Sequence, residues 1–162
     1  MNTRQQRIYD FLSTNKAGVL ASVDPDGGPH AAVVYYTIDQ SDFSISFLTK
    51  TETKKYDNLI RHNHVVFVVF DQATQTVAQI FGNAIEIKDH LEVNKIAQAV
   101  SDVSLETTNN SIIPIAKLEA GDYTAFKIEP NQIRMAIYSH PQSGEYKHLF
   151  DTLESFELKT DY

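Results

Sequence analysis

The feature that most constrains the fold is how little chain separates its β-type runs. AGVLASV (Ala17–Val23) is divided from AAVVYYTI (Ala31–Ile38) by a dense run of turn formers, DPDGGP. DQSD then leads directly into FSISFLT (Phe43–Thr49). A parallel crossover takes about a dozen residues or more, so these strands pair antiparallel, starting with a hairpin. FSISFLT alternates apolar and polar residues, as a half-buried strand does. VVFVVF (Val65–Phe70) is continuously apolar and reads as a central strand buried on both faces. VAQIFGNAIEI (Val77–Ile87) is a further long strand, with Gly82 marking a bulge or bend. YTAFKIEP and QIRMAIY (Tyr123–Tyr138) supply two more, broken at Pro130.

Helical patterns are few. Thr3 to Thr14 places Ile8, Phe11 and Leu12 on one face with Tyr9 beside it. Lys54 to His62 carries a short stripe of Tyr56, Leu59 and Ile60. Asp89, with Glu92 three residues on, opens a capped helix that buries Val93, Ile96, Ala97 and Val100. Thr107 to Pro114 reads as a loop. The tail from about Ser139 is polar and acidic, with a short helix around Leu149–Leu153. The expected fold class is mainly β: a six- to seven-stranded antiparallel barrel with peripheral helices. It is a single domain over residues 1–162, long enough for a sizeable core.

Composition excludes several function classes. Fourteen Lys and Arg against 21 Asp and Glu give 14 − 21 = −7, the wrong balance for a general nucleic-acid binder. There is no cysteine, so thiolate chemistry and Cys-based metal centres are out. The start, MNTRQQRIYDFL, does not read as a signal peptide, and no apolar run approaches membrane-spanning length. A cytoplasmic protein is expected. Gly-x-Gly-x-x-Gly, Gly-x-x-x-x-Gly-Lys and Gly-x-Ser-x-Gly are all absent. His62 and His64 share a face if extended, yet no third metal ligand can be named beside them.

Against that acidic background, TKTETKKYDNL (Thr49–Leu59) concentrates positive charge where a helix begins. A helix N-terminus is itself partially positive, so Lys54 and Lys55 stand at the wrong end. Thr49 with Glu52 fits a capping box, and Thr53 fits a cap for a helix starting at Lys54. Either way, hydroxyls, free N–H groups and two ammonium groups converge at a strand-to-helix junction. This combination binds a phosphate without a P-loop. The plainer reading is a solvated first turn whose lysines pair with Glu52 and Asp57, since exposed misplaced lysines cost only about 0.3–1 kcal/mol each. Tyr35 and Tyr36 are adjacent in a strand, so at most one faces a ligand.

The order of elements, from the hairpin GVLASVDPDGGPHAAVVYY through FSISFLT and T-x-x-x-T-K-K-Y-x-N-L to VVFVVF and F-G-N-A, resembles the pyridoxamine 5-phosphate oxidase-like family of FMN-binding split barrels. The resemblance spans roughly Ala17 to Ile87 and, more loosely, IEPNQIR. Its most specific part is Phe47-Leu48-Thr49 followed by Thr53-Lys54-Lys55, with Thr53 where the family usually has Ser. It implies that Thr49, Thr53, Lys54 and Lys55 hold the FMN phosphate. Val33, Val34, Tyr35 and Tyr36 would lie along the flavin, largely through their backbone, and Gln79 would contact the ring. It also implies a homodimer with flavin at the subunit interface and an oxidoreductase acting on a small-molecule substrate. Relatives of this fold also use a deazaflavin or bind heme, which makes a non-catalytic flavin- or heme-binding module the alternative, with His140 or His148 as heme ligand. The pyridoxamine phosphate oxidases carry an arginine where this chain has Ala31-Ala32, and a Trp-containing segment with Arg-x-His. This chain has no tryptophan, so the resemblance carries the fold and a flavin-type cofactor rather than the vitamin B6 reaction.

Overall fold

Seven antiparallel strands organise the computed structural model, which describes residues 1–107, 123–138 and 152–159. They are β1 (Ala17–Val23), β2 (Pro29–Ile38), β3 (Ile45–Lys50), β4 (His64–Asp71), β5 (Thr76–Ile87), β6 (Tyr123–Tyr138) and β7 (Thr152–Lys159). The order across the sheet is β3-β2-β1-β4-β5-β6-β7, and a further β3–β6 ladder closes the first six strands into a barrel. That ladder runs from Ile45 opposite Ile128 to Lys50 opposite Tyr123. β7 lies outside the barrel on the second half of β6, from Gln132 opposite Lys159 to Tyr138 opposite Thr152. Thr152 and Leu153 therefore begin a strand rather than sit in the expected short helix, and the acidic tail contributes an element of the sheet.

The period-2 pattern decides what fills the barrel. Leu20, Val34, Tyr36, Ile45, Phe47, Phe67, Ile80, Phe126, Ile128 and Ile133 are buried in one cluster. Tyr36 meets Phe67 edge-on at 5.0 Å, and Phe47 stacks on Phe126 at 5.9 Å. VVFVVF is not buried on both faces. Val65, Phe67 and Val69 point inward, Val66 and Val68 are half-buried, and Phe70 is 55 % exposed. An antiparallel barrel covers only one face of each strand, so the other half of this run forms part of an apolar outer surface.

Among the described residues, three helices dress the barrel. α1 (Thr3–Thr14) opens with a capping box between Asn2 and Gln5 and buries Ile8 and Leu12. The Tyr36 hydroxyl donates to the Leu12 carbonyl at 2.6 Å, tying the helix to β2 from inside. α2 (Lys54–Arg61) caps one mouth. α3 (His90–Thr107) starts at Asp89, whose carboxylate accepts from the Leu91 and Glu92 N–H groups. It packs Val93, Val100, Ile96 and Ala97 onto Leu48, Ala125, Tyr35 and Ile87 on the outer face. Thr107 belongs to this helix, and the rest of the expected loop to Pro114 lies outside the described residues.

Two boundaries differ from the sequence expectation for local reasons. β3 begins at Ile45 rather than Phe43, because Phe43 adopts φ 59° and closes a turn in which its N–H reaches Asp39 O at 2.9 Å. β6 is one 16-residue strand and is not broken at Pro130. The β5–β6 register shifts at Phe81/Gly82, where Phe81 faces Gln132 and Gly82 faces Pro130. The expected irregularity at Gly82 and the proline thus occupy the same bulge, which is where a strand tolerates a missing N–H.

A Cβ built on Gly82 would come 2.2 Å from the Glu129 carbonyl oxygen, a backbone atom that a side-chain rotation cannot move. Gly82→Ala is expected to cost about 1–3 kcal/mol or more, read as a fall in melting temperature of roughly 2–4 °C per kcal/mol. A melting curve superimposable on wild type would show that the bulge yields freely.

Candidate phosphate site at the start of helix α2

The chain leaves the barrel at the end of β3 and re-enters order at α2. Thr49, 2 % exposed, is the last inward residue of β3 and pairs with Thr124 of β6. Of the two caps open to the sequence, Thr53 is the one used: its extended backbone precedes Lys54, and its Oγ1 accepts the Tyr56 N–H at 3.2 Å. Thr53 also donates to the Lys50 carbonyl at 2.9 Å, and its hydroxyl lies 3.2 Å from that of Thr49. Two hydroxyls and the first turn of α2 therefore sit together, held by the backbone of Lys50.

The two lysines are in different situations. Lys54 Nζ lies 3.2 Å from Asp24 Oδ2 in the β1–β2 turn, not against Glu52 or Asp57. Lys55 is half-buried and has no ion pair or hydrogen bond among the described residues. Burial pushes its ammonium pKa below the ordinary lysine value. A partly desolvated cation at the positive end of a helix is disfavoured on two counts, and a bound anion relieves both. On the opposite side of the junction, the Gly28 N–H and then Lys54 hold the Asp24 carboxyl below its usual range.

Inward from the lysines, α2 is anchored by polar contacts that sequence reading missed. Asn58 is fully buried and donates to Ser22 Oγ at 3.4 Å. The Tyr56 and Thr124 hydroxyls both reach Glu86 Oε1 at 3.3 Å, and burial, then Glu86, push the Tyr56 phenol up. Glu86 shares the strand parity of buried Ala78, Ile80 and Ala84, whereas the isoleucines flanking it in the sequence suggest the opposite face. Asp24 was legible only as a turn former.

The remaining candidates separate. Val34 and Tyr36 are buried in the core, 6 % and 2 % exposed, so only their backbone is available to a ligand. Burial also raises the Tyr36 phenol well above its usual range. Val33 points outward and is 71 % exposed, while Tyr35 packs under α3. Gln79 is exposed on β5 beside a groove of about 410 Å³ shared with Arg134 and Tyr138. Cross-strand pairing runs Val33–Val19–Val68–Gln79, which puts Gln79 three strands from Val33, or roughly 14 Å at the spacing of neighbouring strands. One protomer does not bring Gln79 to the threonine–lysine cluster. His62 caps the end of α2 and His64 opens β4; His140 and His148 lie outside the described residues. Among the described residues no group of three metal-ligating side chains forms, and no helix is long and apolar enough to cross a membrane.

The fold is shared with solved structures. A putative pyridoxamine 5'-phosphate oxidase from Listeria innocua superposes with a TM-score of 0.64 at 22 % identity, covering 82 % of this chain and 97 % of that one. A pyridoxamine 5'-phosphate oxidase-related, FMN-binding protein from Nostoc punctiforme gives 0.62 at 13 % identity, with 100 % and 99 % covered. A heme-binding protein from Mycobacterium smegmatis gives 0.68 at 12 %, with 98 % and 59 % covered. At such identities these likenesses establish the fold alone. No curated protein sequence matches. The family model for pyridoxamine 5'-phosphate oxidase, however, matches residues 5–136, a span that takes in the barrel, the α2 junction and the Gly82 bulge, and the chain belongs to that family.

Proposed function

We propose that the chain binds FMN through its phosphate and serves as an FMN-dependent oxidoreductase acting on a small molecule. The observation that carries this reading is Lys55: a half-buried cation without an anionic partner among the described residues, beside two threonine hydroxyls at a helix start. The donor set fits a phosphate monoester, which takes several hydrogen bonds and two negative charges. Thr49 and Thr53 would supply hydroxyls, the first turn of α2 its N–H groups, and Lys55 the charge. When bound, the flavin supplies hydride or electron transfer, chemistry that the protein directs by position and electrostatics. The Nostoc protein, described as FMN-binding, supports the same cofactor.

A second copy of the chain completes this reading. The outward row Val33, Val19, Val68 is apolar, with Val33 71 % and Val19 38 % exposed, and Phe70 lies nearby at 55 %. A homodimer that covers this face would also allow Gln79 of one protomer to approach a flavin held by the other.

Visible absorption after loading with FMN and removing the excess tests the cofactor. Paired flavin bands that stay with the protein are expected; a Soret band, or no retained chromophore, would overturn the assignment. Lys55→Met tests the residue with two readouts of opposite sign. Losing a charge-assisted hydrogen bond of about 1.5–3 kcal/mol weakens FMN binding roughly ten- to more than a hundredfold. Without ligand the same variant is expected to melt higher than wild type at neutral pH, because a disfavoured cation is gone. The pH dependence follows in sign. The folded chain holds the Lys55 proton less tightly than the unfolded one, so ligand-free wild type gains stability as pH rises through the lowered pKa toward about 10.4, and Lys55→Met loses that gain. Equal FMN affinity in variant and wild type would remove Lys55 from the site.

A further inference from the structure

The turn between β1 and β2 is built around one carboxylate. Asp24 Oδ1 accepts the N–H groups of Gly28 at 2.7 Å and Asp26 at 3.1 Å. The backbone closes the same loop, Asp24 N–H to Gly28 O at 2.9 Å and Gly27 N–H to Asp24 O at 3.0 Å, with Gly27 at φ 83°. Gly28 passes so near that a Cβ there would stand 2.9 Å from Asp24 Oδ2. The carboxylate is held in place by two backbone N–H groups. Its remaining oxygen meets Lys54 Nζ at 3.2 Å, and the side chains are 16 % and 61 % exposed for Asp24 and Lys54. The aspartate is therefore the fixed partner and the lysine the mobile one. Of the two lysines at the head of α2, one is drawn sideways onto the hairpin and the other is left without a partner among the described residues.

We propose that Asp24 is a competitor built into the anion site, holding Lys54 back and setting phosphate affinity below what two uncommitted lysines would give. This rests on the phosphate reading of Thr49–Lys55 made above. The Asp24 carboxylate and a phosphate seek the same ammonium and repel each other, so both effects lower affinity in the same direction. The consequence is selectivity. A site whose charge is partly cancelled binds weakly by charge alone, and retention then depends on the hydroxyls, the helix N–H groups and the rest of the ligand. Inorganic phosphate would be poorly held, while a phosphate ester with a large flat body would stay. The hairpin is also coupled to the ligand, because a phosphate that takes Lys54 releases the tie between the turn and α2.

The test is a set of FMN titrations on the full chain at fixed ionic strength, comparing wild type, D24N, K54A, D24N/K54A and K55A. Riboflavin is titrated in parallel and inorganic phosphate is used as competitor. Asn keeps the oxygen that accepts the Gly28 and Asp26 N–H groups, so the turn is preserved. D24N is expected to tighten FMN about two- to fivefold, the scale of an exposed ion pair. It should strengthen competition by inorganic phosphate in parallel and leave riboflavin affinity where it was. K54A should cost at least about threefold more in the D24N background than with Asp24 present, which is the coupling a double-mutant cycle reads. D24N that binds FMN no tighter than wild type, or an equal K54A penalty in both backgrounds, overturns the proposal. If D24N does not fold, K54A and K55A decide it in the intact hairpin. K54A must then lose clearly less affinity than K55A, and equal losses overturn the proposal. Failure of the underlying reading looks different: wild type holds no FMN, or K55A holds it as well as wild type, and both readings then fall together.

Discussion

Closure of the barrel by β3 against the first half of β6 is the pairing on which the rest of the structure depends. β6 is long enough to lie along β5 from Thr76 to Ile87 while serving two other strands in succession, β3 at its start and β7 at its end. The closing register sets Thr49 opposite Thr124 and Phe47 opposite Phe126. It therefore defines both the aromatic floor of the mouth and its polar rim. The described ladder ends at Lys50 opposite Tyr123, and α2 begins four residues on, at Lys54. The threonine–lysine cluster lies at that exit, and its position follows from where the barrel shuts.

The exit also explains why an unfavourable electrostatic arrangement is tolerated. α2 has a high-quality anchor: Asn58 and Leu59 are buried, the Tyr56 ring stands edge-on to Phe126 at 6.0 Å, and Glu86 collects two hydroxyls. Apolar burial of a residue the size of leucine contributes about 1.5–3 kcal/mol, more than the roughly 0.3–1 kcal/mol that one misplaced lysine at a helix start costs. The helix is thus held by its inner face, and the outer face of its first turn can carry charge that the backbone disfavours. One lysine meets a local carboxylate and one is half-buried without a partner among the described residues. On the proposed reading, that imbalance is what distinguishes a site poised for a ligand from a turn that is merely solvated.

How much of this was legible depended on whether the signal was local. The DPDGGP hairpin, the Asp89 cap and the Gly82 bulge are set by residues within a few positions of one another, and the sequence carries them. Thr49, Thr53 and Lys55 were legible for the same reason, since a strand end, a cap and a first turn are contiguous. VVFVVF was misread because a continuous apolar run is the same string whether both faces are buried in a sheet or one is reserved for another surface. Pro130 was read as a break because its tolerance depends on a bulge at Asn131 opposite Phe81 and Gly82 of β5, 48 residues earlier in the case of Gly82. The contacts of Asp24 and Glu86 at this junction were unreadable because their partners, Lys54, Tyr56 and Thr124, are each about 30 or more positions away.

The outer face extends the same reasoning to Gln79. Starting at β2, the cross-strand row runs Val33, Val19, Val68 and then turns polar at Gln79, Arg134 and Glu157. Arg134 lies over the Phe81 ring at 5.4 Å, so the polar half of the row is itself ordered on an aromatic platform. A single protomer that exposed this row to water would carry an apolar stripe on one half and a fixed cation on the other, with nothing to join them. Two copies packed across the stripe would bury valines that cost free energy when exposed. On the proposed reading, they would also bring the polar half of one row nearer to the partner protomer. The proposed site and the proposed dimer are therefore linked: Thr49 pairs with Thr124 and Gln79 with Arg134, ten positions further along β6, so a flavin contact from Gln79 would have to come from a second copy.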